Sequence, residues 1–72
     1  MPDMKSVYSS HIDRIGYDPK TNTLHVEPTK GKPYVYENVP PHIGLDVINA
    51  PSIGTALHQL VRGQFSHRYV GE

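Results

Sequence analysis

The segment Thr23-Leu24-His25-Val26-Glu27 decides the fold, because its apolar residues fall on one parity and its polar residues on the other. That period of two predicts a β-strand in a sheet that has one buried face and one wet face. Turn-forming residues precede it from Asp18 to Asn22, and Pro28 ends the strand or marks it as an edge.

Two further strands are predicted on either side of this segment. Upstream, Ile15 and Tyr17 alternate with polar residues or glycine. Downstream, Lys30-Gly31 can form the tip of a hairpin, and Pro33-Tyr34-Val35-Tyr36-Glu37 is rich in aromatic and β-branched residues. The three segments together predict an antiparallel, three-stranded meander.

The pattern changes to that of helices at Val39-Pro40-Pro41, because proline fits the first turn of a helix. Ala50-Pro51 ends this first, short helix. A second helix is predicted after Ser52 as its N-cap, with Gly63 just past its end. Its apolar residues recur at helical spacing: Ile53, Leu57, Leu60 and Val61. We expect an α+β fold with both helices on one face of the sheet and these four residues in a core with Ile15, Leu24 and Val26.

The two ends of the chain carry weaker signals. Residues 1–6 are polar without periodicity and are expected to form a flexible tail, which leaves one domain over residues 7–70. Residues 64–72 fit either an additional edge strand or a docked tail.

Composition excludes several classes of protein. The 72 residues contain no Cys, so disulfide scaffolds and zinc-cysteine sites are excluded, and a cytoplasmic location is expected. No apolar run approaches the ~20 residues that span a bilayer. The five His lack metal-ligand spacing, and neighbouring residues such as Ser9, His11 and Asp13 cannot form a catalytic triad along one strand. We expect no membrane contact, no metal, no cofactor and no enzymatic activity.

Several short fragments occur in a characteristic order over most of the chain. They are Val7-Tyr8-Ser9-Ser10, Ile15-Gly16-Tyr17-Asp18, Thr23-Leu24-His25-Val26, Gly31, Tyr34-Val35-Tyr36, Val39-Pro40, Ala50-Pro51-Ser52-Ile53-Gly54 and Val61-Arg62. In this order and spacing, the chain resembles the KTSC domain, a module found at the C-terminus of some lysyl-tRNA synthetases and as small stand-alone bacterial proteins. The resemblance implies a small module with a suggested role in RNA binding.

Tyr34 and Tyr36 lie on the same face of the third predicted strand, and the hairpin register decides which face that is. A two-residue turn at Lys30-Gly31 places both rings on the wet face, where they can stack unpaired bases. A three-residue loop places them on the face of Leu24 and Val26, where they contribute to the core.

The C-terminal third is locally basic although Lys and Arg balance Asp and Glu at seven each. No Asp or Glu occurs from Val47 to Gly71, whereas Arg62 and Arg68 alternate with aromatic residues. Lys30 and Lys32 can extend this patch, or the arginines can simply solubilise the region. We predict RNA binding through Tyr34, Tyr36 and these four cations. The alternative is a protein-interaction module that docks on a larger assembly; the oligomeric state is left open.

Overall fold

An antiparallel sheet forms the framework of the protein in the computed structural model, which describes residues 3–7 and 11–70. Its five strands are neighbours in chain order: β1 (Lys5–Ser6), β2 (Ile12–Asp18), β3 (Thr23–Pro28), β4 (Tyr34–Tyr36) and β5 (His67–Tyr69). The helices α1 (Pro41–Ile48) and α2 (Ile53–Ala56) and a π-helix (Leu57–Val61) connect β4 to β5. The predicted α+β meander with two helices is therefore confirmed, and β5 is the edge strand left open above.

The alternation that predicted β2 and β3 also sets their pairing. Ile15 lies opposite Val26, and Tyr17 lies opposite Leu24, so all four side chains point to the face that the helices cover. A β-bulge between Ile12 and Arg14 shifts the register by one residue. Because of that shift, Ile12 also reaches the core.

The beginning of the chain adds a strand that the sequence did not predict. Residues 1–6 were expected to form a flexible tail, but Lys5 pairs with Ile15 in β1, and its Nζ donates a hydrogen bond to the carbonyl of Ile48 at the end of α1 (3.0 Å). A strand of two exposed residues shows no alternation of apolar and polar residues, so periodicity could not reveal it.

The loop between β3 and β4 resolves the register of the tyrosine pair. Val26 lies opposite Tyr34 and Leu24 lies opposite Tyr36, which requires a loop with an odd number of residues. Gly31 adopts a φ of 102° in this loop, a conformation that L side chains rarely adopt. Both tyrosines therefore share the helix-facing side of the sheet with Leu24 and Val26.

The hydrophobic core lies between this face of the sheet and the helices. It contains six of the seven predicted residues, together with Ile12, Tyr17, Tyr36, Val39 and Val47. The prediction for Leu60 is wrong, because its side chain is 38% exposed. The cause is the π-helix, whose wider turns keep Leu57 and Val61 in the core but rotate Leu60 outward.

The helices are short. In the part of the chain that the structure describes, none is long and apolar enough to span a bilayer.

Candidate functional site

Four aromatic side chains form a cluster on the helix-facing side of β4 and β5. Tyr34 lies opposite Tyr69 and Tyr36 lies opposite His67, so strand pairing places all four rings on one face. Neighbouring ring centroids are 5.5 to 6.3 Å apart, and the ring planes are steeply inclined to one another. We call these four residues the aromatic quartet.

Exposure within the aromatic quartet increases toward the edge of the sheet. Tyr36 is 5% exposed and belongs to the core, Tyr34 is half-buried, and Tyr69 is 46% exposed. Tyr36 thus contributes mainly to packing, whereas Tyr34 and Tyr69 leave ring surface exposed.

A groove of about 750 Å³ separates the aromatic quartet from α2 and the π-helix. Aromatic, cationic and small polar side chains line it, and no Asp or Glu of the described residues is among them. The lining residues are His11, Ile12, Tyr34, Tyr36, Ser52, Gly54, Thr55, Leu57, His58, Gln59, Arg62, His67 and Tyr69. A groove with this composition favours an anionic, aromatic ligand.

The π-helix supplies the cationic wall of the groove. The N–H of Arg62 donates a hydrogen bond to the carbonyl of Leu57 (2.8 Å), five residues earlier, which widens the turn. Leu57 lines the floor of the groove, and the exposed His58 and Arg62 lie along the same wall. Such π turns occur often at functional sites.

The pKa values of two groove tyrosines report on their surroundings. Burial raises the pKa of Tyr34 and also that of Tyr36 above the ordinary value for a phenol. The positive charge of Arg62 acts in the opposite direction, so it reduces the rise in both pKa values without reversing it. At neutral pH both hydroxyls are therefore protonated, and because they hydrogen-bond to each other, one of the two O–H groups remains to donate toward the groove.

The structure brings three of the six predicted site residues together. Tyr34, Tyr36 and Arg62 line the groove. Lys30 and Lys32 are exposed in the loop between β3 and β4, outside the groove lining.

Arg68 is separated from the groove. It lies opposite Val35 in β5, so its side chain points to the other face of the sheet, where its Nε is 3.5 Å from Oε1 of Glu37. The locally basic C-terminal third is thus divided between two faces, because Arg62 belongs to a helix end and Arg68 to a strand.

Other groove residues were not among the six predicted site residues because tertiary structure alone assembles them. Ser52 was interpreted only as a helix N-cap, Thr55 and Gln59 belong to no recognisable motif, and His67 and Tyr69 could only be paired with β4 once the last segment was known to be a strand. Ser9, which the sequence pattern excludes from a catalytic triad, lies outside the described residues. Within residues 3–7 and 11–70, no group of three His, Asp or Glu could hold a metal ion.

Comparison with known proteins identifies the family and supports the fold. The sequence model of the KTSC domain matches residues 8–65. The chain belongs to the KTSC family. The crystal structure of a KTSC domain protein from Yersinia pestis has a TM-score of 0.89 to it at 30% identity, and the alignment covers 99% of this chain and 100% of that chain.

Two kinds of relatives carry the KTSC domain. A protein from Tsukamurella paurometabola is 37% identical over 62 residues, which are 86% of this chain and 92% of the relative. A lysine–tRNA ligase from Nostoc punctiforme is 39% identical over 56 residues, which are 78% of this chain but 10% of the ligase. The KTSC domain is thus a small accessory module that occurs by itself or as a minor part of a tRNA ligase.

Proposed function

We propose that this KTSC domain is a non-catalytic module that binds single-stranded RNA in the groove beside the aromatic quartet. The observation that carries the proposal is the exposed ring surface of Tyr34 and Tyr69 in a groove that Arg62 makes cationic and that no described carboxylate lines. Proteins that bind single strands combine stacking rings with a positive groove in the same way.

Stacking supplies the larger part of the binding free energy in this proposal. A base stacked on an aromatic side chain contributes about 1–3 kcal/mol, judged by alanine substitution, with little dependence on sequence. Tyr69 is the best stacking platform, since its ring is the most exposed of the three tyrosines in the aromatic quartet. Duplex RNA would not offer its base faces to such a groove.

Cations determine how the affinity depends on salt. Arg62 contacts phosphate within the groove, while Lys30 and Lys32 can contact phosphates of flanking nucleotides where the strand leaves it. Arg68 points to the opposite face and pairs with Glu37, so it does not belong to this site. With so few phosphate contacts, affinity falls with a shallow slope as salt rises.

The relatives support the same function. One relative is named as a lysine–tRNA ligase, and the matching segment is a tenth of its length. A small module that holds unpaired RNA would suit such a protein, since its named substrate is an RNA.

The test is fluorescence anisotropy with a labelled single-stranded RNA of about eight nucleotides. We expect Tyr69→Leu to weaken binding about tenfold or more, whereas Tyr69→Phe retains the stacking surface and nearly all of the affinity. Equal affinities for the two variants, or an affinity that does not change with salt, would contradict the proposal.

Protein docking is the second candidate function, because β5 is an open edge strand whose three residues are all exposed. An extended peptide could add to that edge. The apolar residues of α1 are less suitable as anchors for a partner, since Val47 is fully buried and Ile43 packs against the core, which leaves Leu45 exposed. Capture from lysate before and after nuclease treatment separates the candidates: partners lost with nuclease indicate RNA, and a protein that persists indicates docking.

A further inference from the structure

Arg62 and two tyrosine hydroxyls belong to the same groove. Tyr34, Tyr36 and Arg62 all line it, and the positive charge of Arg62 acts to lower the pKa of both phenols. The rings themselves are 5.6 Å apart between centroids and inclined by 80°, and their hydroxyls interact with each other. The three side chains therefore present polar groups to the same groove.

Hydrogen-bond donors predominate among these three groups. A guanidinium carries five N–H donors and no acceptor, and because the two protonated phenols hydrogen-bond to each other, one of their two O–H groups remains to donate to a ligand. No Asp or Glu of residues 3–7 and 11–70 lines the groove to neutralise Arg62 there. An excess of donors without a carboxylate favours an anion, and the planar fork of arginine matches the geometry of a phosphate.

We propose that Arg62 and the hydroxyls of Tyr34 and Tyr36 form a phosphate subsite, and that the groove holds one nucleotide unit with its base stacked on Tyr69. This inference rests on the proposed function and names the unit that the groove recognises. A volume of about 750 Å³ is in the range of pockets that hold a single small ligand, which suits one nucleotide with its phosphate. A nucleoside monophosphate is then the smallest complete ligand.

The phosphate and the base make separable contributions to binding. Adenosine has the base without the phosphate, inorganic phosphate has the anion without the base, and AMP has both. We expect AMP to bind at least about tenfold more tightly than adenosine, since charge-assisted hydrogen bonds to the phosphate are added to stacking. Inorganic phosphate alone should bind more weakly than AMP.

The experiment is an NMR titration of the labelled protein with adenosine, AMP and inorganic phosphate. Arg62→Gln should remove most of the advantage of AMP over adenosine while leaving adenosine binding unchanged. Arg68→Gln is the matched control, because it removes the same charge from the opposite face of the sheet and should preserve the advantage. Both arginines are exposed, so both variants should fold.

Two results would overturn the subsite: equal affinity of the wild-type protein for AMP and adenosine, or equal losses in Arg62→Gln and Arg68→Gln. Its failure differs from failure of the RNA proposal. If labelled RNA binds in a Tyr69-dependent manner but AMP has no advantage, the RNA function stands and the phosphate subsite is wrong. If AMP shows the Arg62-dependent advantage but RNA does not bind, the subsite stands as a site for free nucleotides.

Discussion

The helix-facing side of the sheet contains two regions that differ in what covers them. Over β2, α1 packs directly on the sheet, so that Tyr17 is buried and its hydroxyl donates a hydrogen bond to the carbonyl of Val39 (2.5 Å). Over β4 and β5 the groove remains open, and the ring of Tyr69 is half-exposed. The same residue type on the same face thus stabilises the fold in one region and leaves ring surface exposed in the other.

The difference arises from how closely each helix approaches. Gly44 has no side chain, so the backbone of α1 packs directly against the ring of Tyr17. The π-helix instead leaves a groove between itself and the aromatic quartet, and Arg62 lines this groove. One region is therefore sensitive to added volume, and the other to lost charge and lost ring surface.

Gly44→Ala should have the largest effect on stability. The added Cβ would overlap the ring of Tyr17, and neither the helix nor the buried ring has free space. Overpacking of this kind costs roughly 1–3 kcal/mol or more, which exceeds the ~1 kcal/mol that alanine gains over glycine in a helix. We expect a net loss of about 2 kcal/mol in the free energy of unfolding, measured by urea denaturation.

A double variant shows whether the ring is the cause. In Gly44→Ala combined with Tyr17→Leu, the two losses should be smaller than additive, because the smaller side chain relieves the overlap. A melting temperature of Gly44→Ala equal to or above that of the wild-type protein would show that the contact between α1 and Tyr17 tolerates an added methyl group.

Removing single hydroxyls should distinguish the two regions with a smaller effect. Tyr17→Phe leaves the carbonyl of Val39 without this donor and should lower the free energy of unfolding by about 1 kcal/mol, or roughly 4–8 °C in Tm for a domain of this size. Tyr69→Phe should leave Tm unchanged, since the Tyr69 ring is 46% exposed. Equal shifts in the two variants would contradict the assignment of one tyrosine to the fold and the other to the groove.

The covered region was largely predictable from sequence. The alternation through Ile15, Tyr17, Leu24 and Val26 depends on burial against helices, and burial leaves a period of two that can be read directly. The proline and glycine boundaries of the helices were equally informative. What periodicity could not reveal was the two-residue β1 and the π turn that exposes Leu60.

The groove was only partly predictable. Tyr34, Tyr36 and Arg62 were predicted as site residues from their residue types. That they lie in one groove depended on two features that the sequence left open. One was the parity of the loop before β4, and the other was whether the final segment is a strand. The second feature also separates Arg62 from Arg68, which look equivalent in the sequence although they lie on opposite faces.

The smallest expected effect is a change in the pKa values of the groove tyrosines. Arg62→Gln removes the positive charge that lowers the pKa of Tyr34 and Tyr36, so both should titrate at higher pH than in the wild-type protein. Tyr17 should not respond, because burial and the charge of Asp18 raise its pKa. The Cζ chemical shifts of ¹³C-labelled tyrosines measure each titration separately.

The stability of the protein should follow these titrations at alkaline pH. The folded pKa of each of the three tyrosines lies above the unfolded value of about 10, so their contribution to stability is complete below pH 10 and is lost as pH rises through the folded pKa. Arg68→Gln again serves as the control and should leave all three pKa values unchanged. If Arg62→Gln moved Tyr17 as much as Tyr34, the arginine would act through the whole fold rather than within the groove, and the contrast between the two regions would fail.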